Sequence, residues 1–229
     1  MNIVVTGSSS GLGLEIAKAL FDAGHTVIEY DVSINRSMDV CDPSDKPFKN
    51  HDVIDALINC AGVNSNQWFE EVTTEEWQRV QDVNVVGLWR MTQHLLPKLV
   101  ASPHKGVVIN ITSNAAWTPM TCSLAYNASK AAAEMVTRQM AHELTPKYGI
   151  TIFGIAPNKL RGTGMSREIE ANVCKTRGWT PEFAAEYQRK SLMKGKETEP
   201  AALANYISFL LSDEANFTHL SGCIQQFGK

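Results

Sequence analysis

Asn2-Ile3-Val4-Val5-Thr6-Gly7-Ser8-Ser9-Ser10-Gly11-Leu12-Gly13 opens the chain with a short β run and a glycine-rich turn. Leu14, Ile16, Ala17 and Leu20 then repeat at helical spacing. Glycines permit a tight turn and the close approach of backbone to a pyrophosphate, and a helix N-terminus offers free N–H groups and a positive dipole end. The spacing is Gly-x-x-x-Gly-x-Gly, not the Gly-x-Gly-x-x-Gly of the usual dinucleotide fingerprint. No Gly-Lys-Ser/Thr follows, so it is not a P-loop. Taken alone, the loop also reads as an ordinary Gly/Ser turn between strand and helix.

Working outward, strands and helices alternate along the chain, the pattern of a parallel sheet covered on both faces. The predicted strands are 3–6, 26–30, 37–40, 54–59, 107–111, 151–156 and 223–227. The clearest helices are 12–23, 75–100, 124–147 and 200–211. Thr73, three residues before Glu76, marks a capping box at the start of the long second helix. The expected fold class is α/β, a doubly wound, mostly parallel seven-stranded sheet in one domain over 1–229.

Tyr126-Asn127-Ala128-Ser129-Lys130 carries the chemistry. Positions four apart share a helix face. A phenol has a pKa of about 10. An ammonium within reach favours the phenolate and brings the group toward neutrality. Ser113, thirteen residues before Tyr126, ends the apolar run Val107-Val108-Ile109-Asn110-Ile111-Thr112, which reads as a buried parallel strand. Ligands bind at the carboxyl edge of such sheets. Tyr-x-x-x-Lys alone is a weak signal; joined to a strand-end serine and a nucleotide loop it is a strong one.

Composition excludes several classes. The chain has 229 residues and a net charge of −3. Its pI near 6.1 leaves no basic footprint for nucleic acid. The five cysteines (Cys41, Cys60, Cys122, Cys174, Cys223) are scattered without Cys-x-x-Cys. They suggest neither a disulfide framework nor zinc, and a reducing, cytoplasmic setting is expected. The histidines show no ligand spacing, so no metal is expected. The start is a strand rather than a signal peptide, and no run approaches the roughly 20 apolar residues of a membrane span.

Thr6-Gly7-x-x-x-Gly11-x-Gly13, Asn59-Cys60-Ala61-Gly62, Asn84, Ser113 and Tyr126-x-x-x-Lys130 together resemble the classical short-chain dehydrogenase/reductase family, over nearly the whole chain. The resemblance implies a Rossmann-type fold and a nicotinamide cofactor contacted by Gly7, Ser9, Ser10, Gly11, Leu12 and Gly13. It implies that Tyr126 exchanges a proton with a carbonyl or alcohol oxygen while Lys130 lowers its pKa and holds the nicotinamide ribose. Ser113 would stabilise the substrate oxygen, and the Asn84 carbonyl would hold a relay water. Asp39 and Val40 resemble the adenine-contacting pair. Asn59, Ala61 and Gly62 would pass the adenosine ribose, with Cys60 read as a small core residue. Pro157, Leu160 and Thr163 would meet the carboxamide, although Thr163 lies one residue beyond the common spacing. Asn158 stands where the family has glycine, a place asparagine tolerates by entering left-handed conformations.

Cofactor choice falls on Asp31, at the end of the second strand. A carboxylate there accepts from ribose hydroxyls and repels a 2′-phosphate, which favours NAD. Arg36 is the nearby cation that would favour NADP, and Asp31 as a plain turn former is the other reading. The chain departs from the family between Asp31 and Asp39, with seven intervening residues, and between Asp39 and Asp55, with fifteen. A βαβ crossover needs at least about 10–12 residues, so the adenine edge of the sheet should be stripped down.

Residues 161–199 are read as the substrate lid. They supply Met165, Ile169, Val173, Trp179, Phe183, Tyr187 and Met193, with Arg161, Arg167, Lys175 and Arg177. A solvated helical lid is as good a reading as specific recognition, and Trp117 is a further candidate for the pocket wall. The expected activity is NAD-dependent hydride transfer on a small alcohol/carbonyl pair. The alternatives are a non-catalytic NAD-binding or sensing protein and an NAD-using epimerase or lyase. The second and third helices, 75–100 and 124–147, carry more apolar positions than one sheet face needs, so a homodimer or homotetramer is expected.

Overall fold

Neighbouring strands of one sheet send alternate side chains to opposite faces, and here both faces are apolar. In the computed structural model, described over residues 1–192, 195–212 and 217–228, the strands are β1 (Asn2–Thr6), β2 (Thr26–Tyr30), β3 (Ala56–Asn59), β4 (Val107–Ile111), β5 (Thr151–Pro157) and β6 (Ile224–Phe227). They form a six-stranded sheet in the order β2-β1-β3-β4-β5-β6, and every neighbouring pair is parallel. Ile3, Val5, Ile58, Ile109 and Phe153 point to one side, where they meet α1 (Gly11–Asp22) and α7 (Pro200–Leu210). Val4, Leu57, Val108 and Ile152 point to the other, where they meet α3 (Gly87–Val100) and α4 (Leu124–Tyr148). The fold is the Rossmann-type doubly wound α/β architecture expected from the sequence.

The strand expected at 37–40 is absent, so the sheet has six strands rather than seven. The chain leaves β2 at Asp31 through turns, with the amides of Ile34 and Asn35 bonded to the Asp31 carbonyl. Too few residues follow for a helix to carry the chain over the sheet and set a parallel strand beside β2. The segment instead folds against one face. Val40 is buried, and Phe48, in the short turn Lys46–Phe48, is fully buried with its ring stacked on Tyr30 at 5.5 Å. Aromatic side chains thus cover the edge that a strand and helix would otherwise cover.

The long helix expected at 75–100 is also divided. It comprises α2 (Thr74–Gln81), a π turn at Asp82–Val86, and α3. The Thr73 hydroxyl accepts from the Glu76 amide at 3.2 Å, as the cap predicts. At the π turn the Gly87 amide reaches back five residues to the Asp82 carbonyl. α5 (Gly164–Arg177) and α6 (Pro181–Ser191) follow β5 and pack on each other. Met193 lies outside the described residues. No helix among the described residues is long and apolar enough to cross a membrane.

The covering role of Phe48 is testable. Removing a buried phenyl ring costs about 3–5 kcal/mol. Phe48→Ala should lower the unfolding free energy measured in urea by that amount, as a lower midpoint with an unchanged slope. A loss below about 1 kcal/mol would show that residues 31–55 do not belong to the cooperative core.

Candidate active site

Between β1 and β3 the strand order reverses, and the two chains diverge from the sheet. A crevice at such a switch point is where open α/β sheets bind ligands. Here it is narrow and lined by Thr6, Val40, Asn59, Ala61, Asn84 and Ile111, among others. Thr6 closes its floor: its hydroxyl accepts from the amides of Cys60 and Ala61, each at 3.0 Å. Gly7, at φ +67°, runs so close to the exit of β3 that an added Cβ would lie 2.8 Å from the Ala61 Cα. At Gly13 an added Cβ would lie 2.1 Å from the Gly7 carbonyl oxygen. The glycines are fixed by backbone packing, and the turn they make leaves the start of α1 open.

The carboxylate of Asp31 joins this loop from the end of β2. It accepts from the Ser9 amide at 3.1 Å, and from the amide and hydroxyl of Ser33, each at 2.8 Å. Burial raises its pKa, but the hydrogen bonds from Ser9 and Ser33 outweigh burial and hold it below the ordinary carboxylate value. The hydroxyl of Ser8, fully buried, has no hydrogen-bond partner. A glycine cradle, an ionised carboxylate at the strand end and an orphaned hydroxyl fit a nicotinamide dinucleotide. Gly7, Ser9, Ser10, Gly11, Leu12 and Gly13 would hold its phosphates. Asp39 shapes its own turn, its carboxylate accepting from the Cys41 amide at 2.8 Å, and Val40 packs against the helix at Gly87. The Asn59 side chain turns inward to Leu88, Thr92 and Asn110, so only its backbone is available to the crevice.

Tyr126 and Lys130 lie one turn apart on α4, as expected. Lys130 is buried, its Nζ donating to the Ile111 carbonyl at 3.1 Å and standing 5.7 Å from the centre of the Tyr126 ring. Burial lowers its pKa to about 8. Burial raises the Tyr126 pKa, and the side-chain interaction with Ser113 offsets only part of that. The pull of Lys130 on the phenol expected from the sequence does not appear beside these two effects. Cys60, beside this amine, has its thiol pushed up to about 12 by burial, which suits a packing residue rather than a nucleophile.

Ser113 follows β4 in extended conformation, and its Oγ accepts from the Ala115 amide at 3.2 Å. Asn84 sits in the π turn. Its Oδ1 accepts from the Val63 amide, while its Nδ2 donates to the Val63 carbonyl and to Ser129 Oγ, each at 2.9 Å. The side chain thus fastens the loop after β3 to the helix that carries Tyr126. Pi turns recur at functional sites because they take a carbonyl out of the helical ladder. Thr163 caps α5, accepting from the Ser166 amide at 3.1 Å, and lies beside Gly11. Leu160 pairs with Thr198, and its carbonyl accepts from Ser166 Oγ. Pro157 ends β5, paired with Phe227.

Three features were missed in the sequence. Asn158 is not left-handed. Its side chain instead accepts from Asn114 Nδ2 at 2.8 Å and donates to the Gly228 carbonyl at 3.3 Å, joining the Ser113 loop to the end of the sheet. Asn127, next to Tyr126, donates to the carbonyls of Ala115 and Thr118. Glu134 is 2% exposed one turn beyond Lys130, with Oε1 unpartnered. Burial raises its pKa against the pull of Arg138, Trp117 and Thr112. An acidic residue one turn after the lysine was the available signal. Between α5 and α6 lies a separate cleft of about 520 Å³, lined by Lys159, Arg167, Glu170, Cys174, Arg189 and Glu197 among others, and touching none of Ser113, Tyr126 and Lys130. Among the described residues no cluster of three or more His, Cys, Asp or Glu could hold a metal.

The short chain dehydrogenase family model matches residues 44–173, and the chain belongs to that family of oxidoreductases. It is 28% identical over 243 residues to the sorbitol-6-phosphate 2-dehydrogenase of Klebsiella pneumoniae, covering 94% of this chain and 90% of that one. The 3-ketoacyl-(acyl-carrier-protein) reductase of Brucella melitensis, solved with NADH, superposes with a TM-score of 0.81 at 25% identity, covering 98% and 95% of the two chains. The L-sorbose reductase of Gluconobacter frateurii, solved with NADPH and L-sorbose, has the same fold, with a TM-score of 0.80 at 24% identity over 99% and 94%.

The buried amine has a measurable consequence. With a folded pKa near 8 against about 10.4 unfolded, the unfolded state binds the extra proton between those values, so this group makes stability rise with pH across that window. Below it, Lys130 is charged in both states and burial of the charge opposes folding. Lys130→Met, compared with wild type without cofactor, should gain relative stability at pH 7 and lose the gain by about pH 10.5. Unfolding midpoints that differ by the same amount at both pH values would mean the amine keeps its ordinary pKa.

Proposed function

We propose that this chain is an NAD-dependent oxidoreductase that moves a hydride between the nicotinamide ring and a small alcohol/carbonyl substrate, with Tyr126 as general acid and base. The observation that carries this reading is the meeting of Ser113, Tyr126 and the buried Lys130 at the carboxyl ends of β3 and β4, beside a glycine cradle. Bound NAD supplies or accepts the hydride. Tyr126 gives its hydroxyl proton to the carbonyl oxygen in reduction and takes it back in oxidation. Ser113 donates to the same oxygen as charge builds there. Lys130 keeps a cation beside the phenolate that forms, and its low pKa lets it pass a proton near neutral pH. The Asn84 clamp holds the loop after β3 against α4, and its carbonyl is the relay contact.

Asp31 favours NAD over NADP in this reading, because an ionised carboxylate at the ribose repels a phosphate. Asp39, Val40, Asn59, Ala61 and Gly62 line the adenosine half, and Pro157, Leu160 and Thr163 the nicotinamide half. Residues 1–229 act as one nucleotide-binding domain with the lid at 161–199. The sensor and epimerase or lyase readings gain no observation of their own.

Tyr126→Phe tests the chemistry. It should bind NADH as wild type does and lose about 10²–10⁴-fold in kcat on a reactive substrate. Turnover within a few-fold of wild type would remove Tyr126 from the reaction.

Assembly follows from α4. Leu124, Ala128, Ala131 and Met135 form one stripe at helical spacing, with Leu124 41% and Met135 60% exposed. A cytoplasmic enzyme with such a stripe should pair about a two-fold axis through α3 and α4. Light scattering at micromolar concentration should give at least twice the 25.2 kDa chain mass, and Met135→Glu should reduce it. A wild-type monomer mass would refute the pairing.

A further inference from the structure

The loops that leave β3, β4 and β5 depart from adjacent strand ends and meet again at one place. The Gln67 amide donates to the Cys122 carbonyl at 2.9 Å. Trp68 Nε1 donates to the Thr176 carbonyl at 3.1 Å, and Arg177 Nη2 donates to the Thr121 carbonyl at 2.6 Å. These three bonds tie the loops to one another, on the chain that leads from Ser113 to Tyr126. Thr121 is five residues from Tyr126, at most about 17 Å of extended chain.

Polar groups at this junction are left unpartnered. Arg177 Nε, Asn66 Nδ2 and Gln67 Oε1 are shut off from solvent and have no hydrogen-bond partner. Buried donors without partners are uncommon and call for a missing acceptor. The arginine differs from the other cations of the first lid helix and its approach, 161–177. Arg161 is paired with Glu199 at 2.7 Å, Arg167 donates to the Gly162 carbonyl, and Lys175 is exposed. Arg177 is half-buried, with its guanidinium 4.8 Å from the Trp179 ring centre and no carboxylate within ion-pair distance among the described residues. A guanidinium held by one carbonyl and one aromatic face keeps donors for a planar or tetrahedral oxyanion.

We propose that this junction is an anion subsite of the substrate cleft, with Arg177 as the specificity-determining residue, so that the substrate is an alcohol or ketone bearing a carboxylate or phosphate. This rests on the proposed reading of Ser113 and Tyr126 as the reacting end of the cleft. Asn66 Nδ2 is a second donor to the oxyanion, and Gln67 Oε1 accepts from a neighbouring substrate hydroxyl.

The test is calorimetric titration of the full chain, saturated with NADH, with inorganic phosphate, succinate and the neutral isostere succinamide. Because it reads binding and not turnover, it stands apart from the hydride-transfer reading, which the Tyr126→Phe variant tests in activity. Wild type should bind at least one of the anions and bind succinamide about tenfold or more weakly. A preference for phosphate identifies a phosphorylated substrate, and one for succinate a carboxylic acid. Arg177→Met should weaken the anion by about tenfold to a hundredfold, and Arg177→Lys by less. Trp68→Phe cuts the neighbouring lid bond but keeps the guanidinium, and should stay within about threefold of wild type. The proposal is overturned if neither anion binds, if succinamide binds as tightly, if Arg177→Met leaves anion affinity unchanged, or if Trp68→Phe costs as much as Arg177→Met, which would make the arginine only a clasp.

Discussion

The close approach of Gly7 to Ala61 is the constraint on which the rest of the molecule depends. An added Cβ at Gly7 would fall 2.8 Å from a backbone carbon, so no other residue lets β1 and β3 emerge side by side there. Thr6 secures the same crossing by accepting from two successive amides of the β3 exit. Because the strand order reverses at this point, the chain opens in both directions and leaves a crevice with the start of α1 facing it. The glycine loop, the Asp31 carboxylate and the Asn84 clamp are all arranged around that opening.

The reacting end has a different physical character. Lys130 is 6% exposed, and the amine is held there by the Ile111 carbonyl and by the geometry of α4. Such a group, charged below about pH 8, opposes folding. The Tyr126 phenol is raised by burial, and Ser113 offsets part of that rise. Asn84, through both faces of its amide, keeps these elements in register. Its partners on Val63 and Ser129 explain why the long helix gives way to a π turn at 82–86.

Elements whose causes are local were legible in the sequence. The β1 run, the glycine turn, the buried β4 strand ending at Ser113 and the one-turn spacing of Tyr126 and Lys130 each follow from periodicity or backbone freedom. The strand expected at 37–40 had strand-like residues but no chain length to place it, and Phe48 stacked on Tyr30 took over the cover of that face. The helix break needed Val63 and Ser129, which are distant in sequence from Asn84. Asn158 was noticed for its backbone but acts through its side chain, on Asn114 and Gly228. Arg177 stood in the sequence as one of eight Lys and Arg residues in the lid. The ion pairing of Arg161, the exposure of Lys175 and the unpartnered Nε of Arg177 set it apart.

The first lid helix completes the arrangement, since Thr163 starts it beside the glycine loop and Arg177 ends it against the loops after β3 and β4. Nucleotide, reacting oxygen and substrate tail would then occupy three consecutive stretches above the strand ends. The crevice with Asp31 at its ribose end is the foundation of that account, and direct titration tests it most simply. Intrinsic fluorescence quenching of the wild-type protein by NADH and by NADPH, at fixed ionic strength, should give tighter binding of NADH by about tenfold or more. Tighter binding of NADPH, or no binding of either, would contradict it.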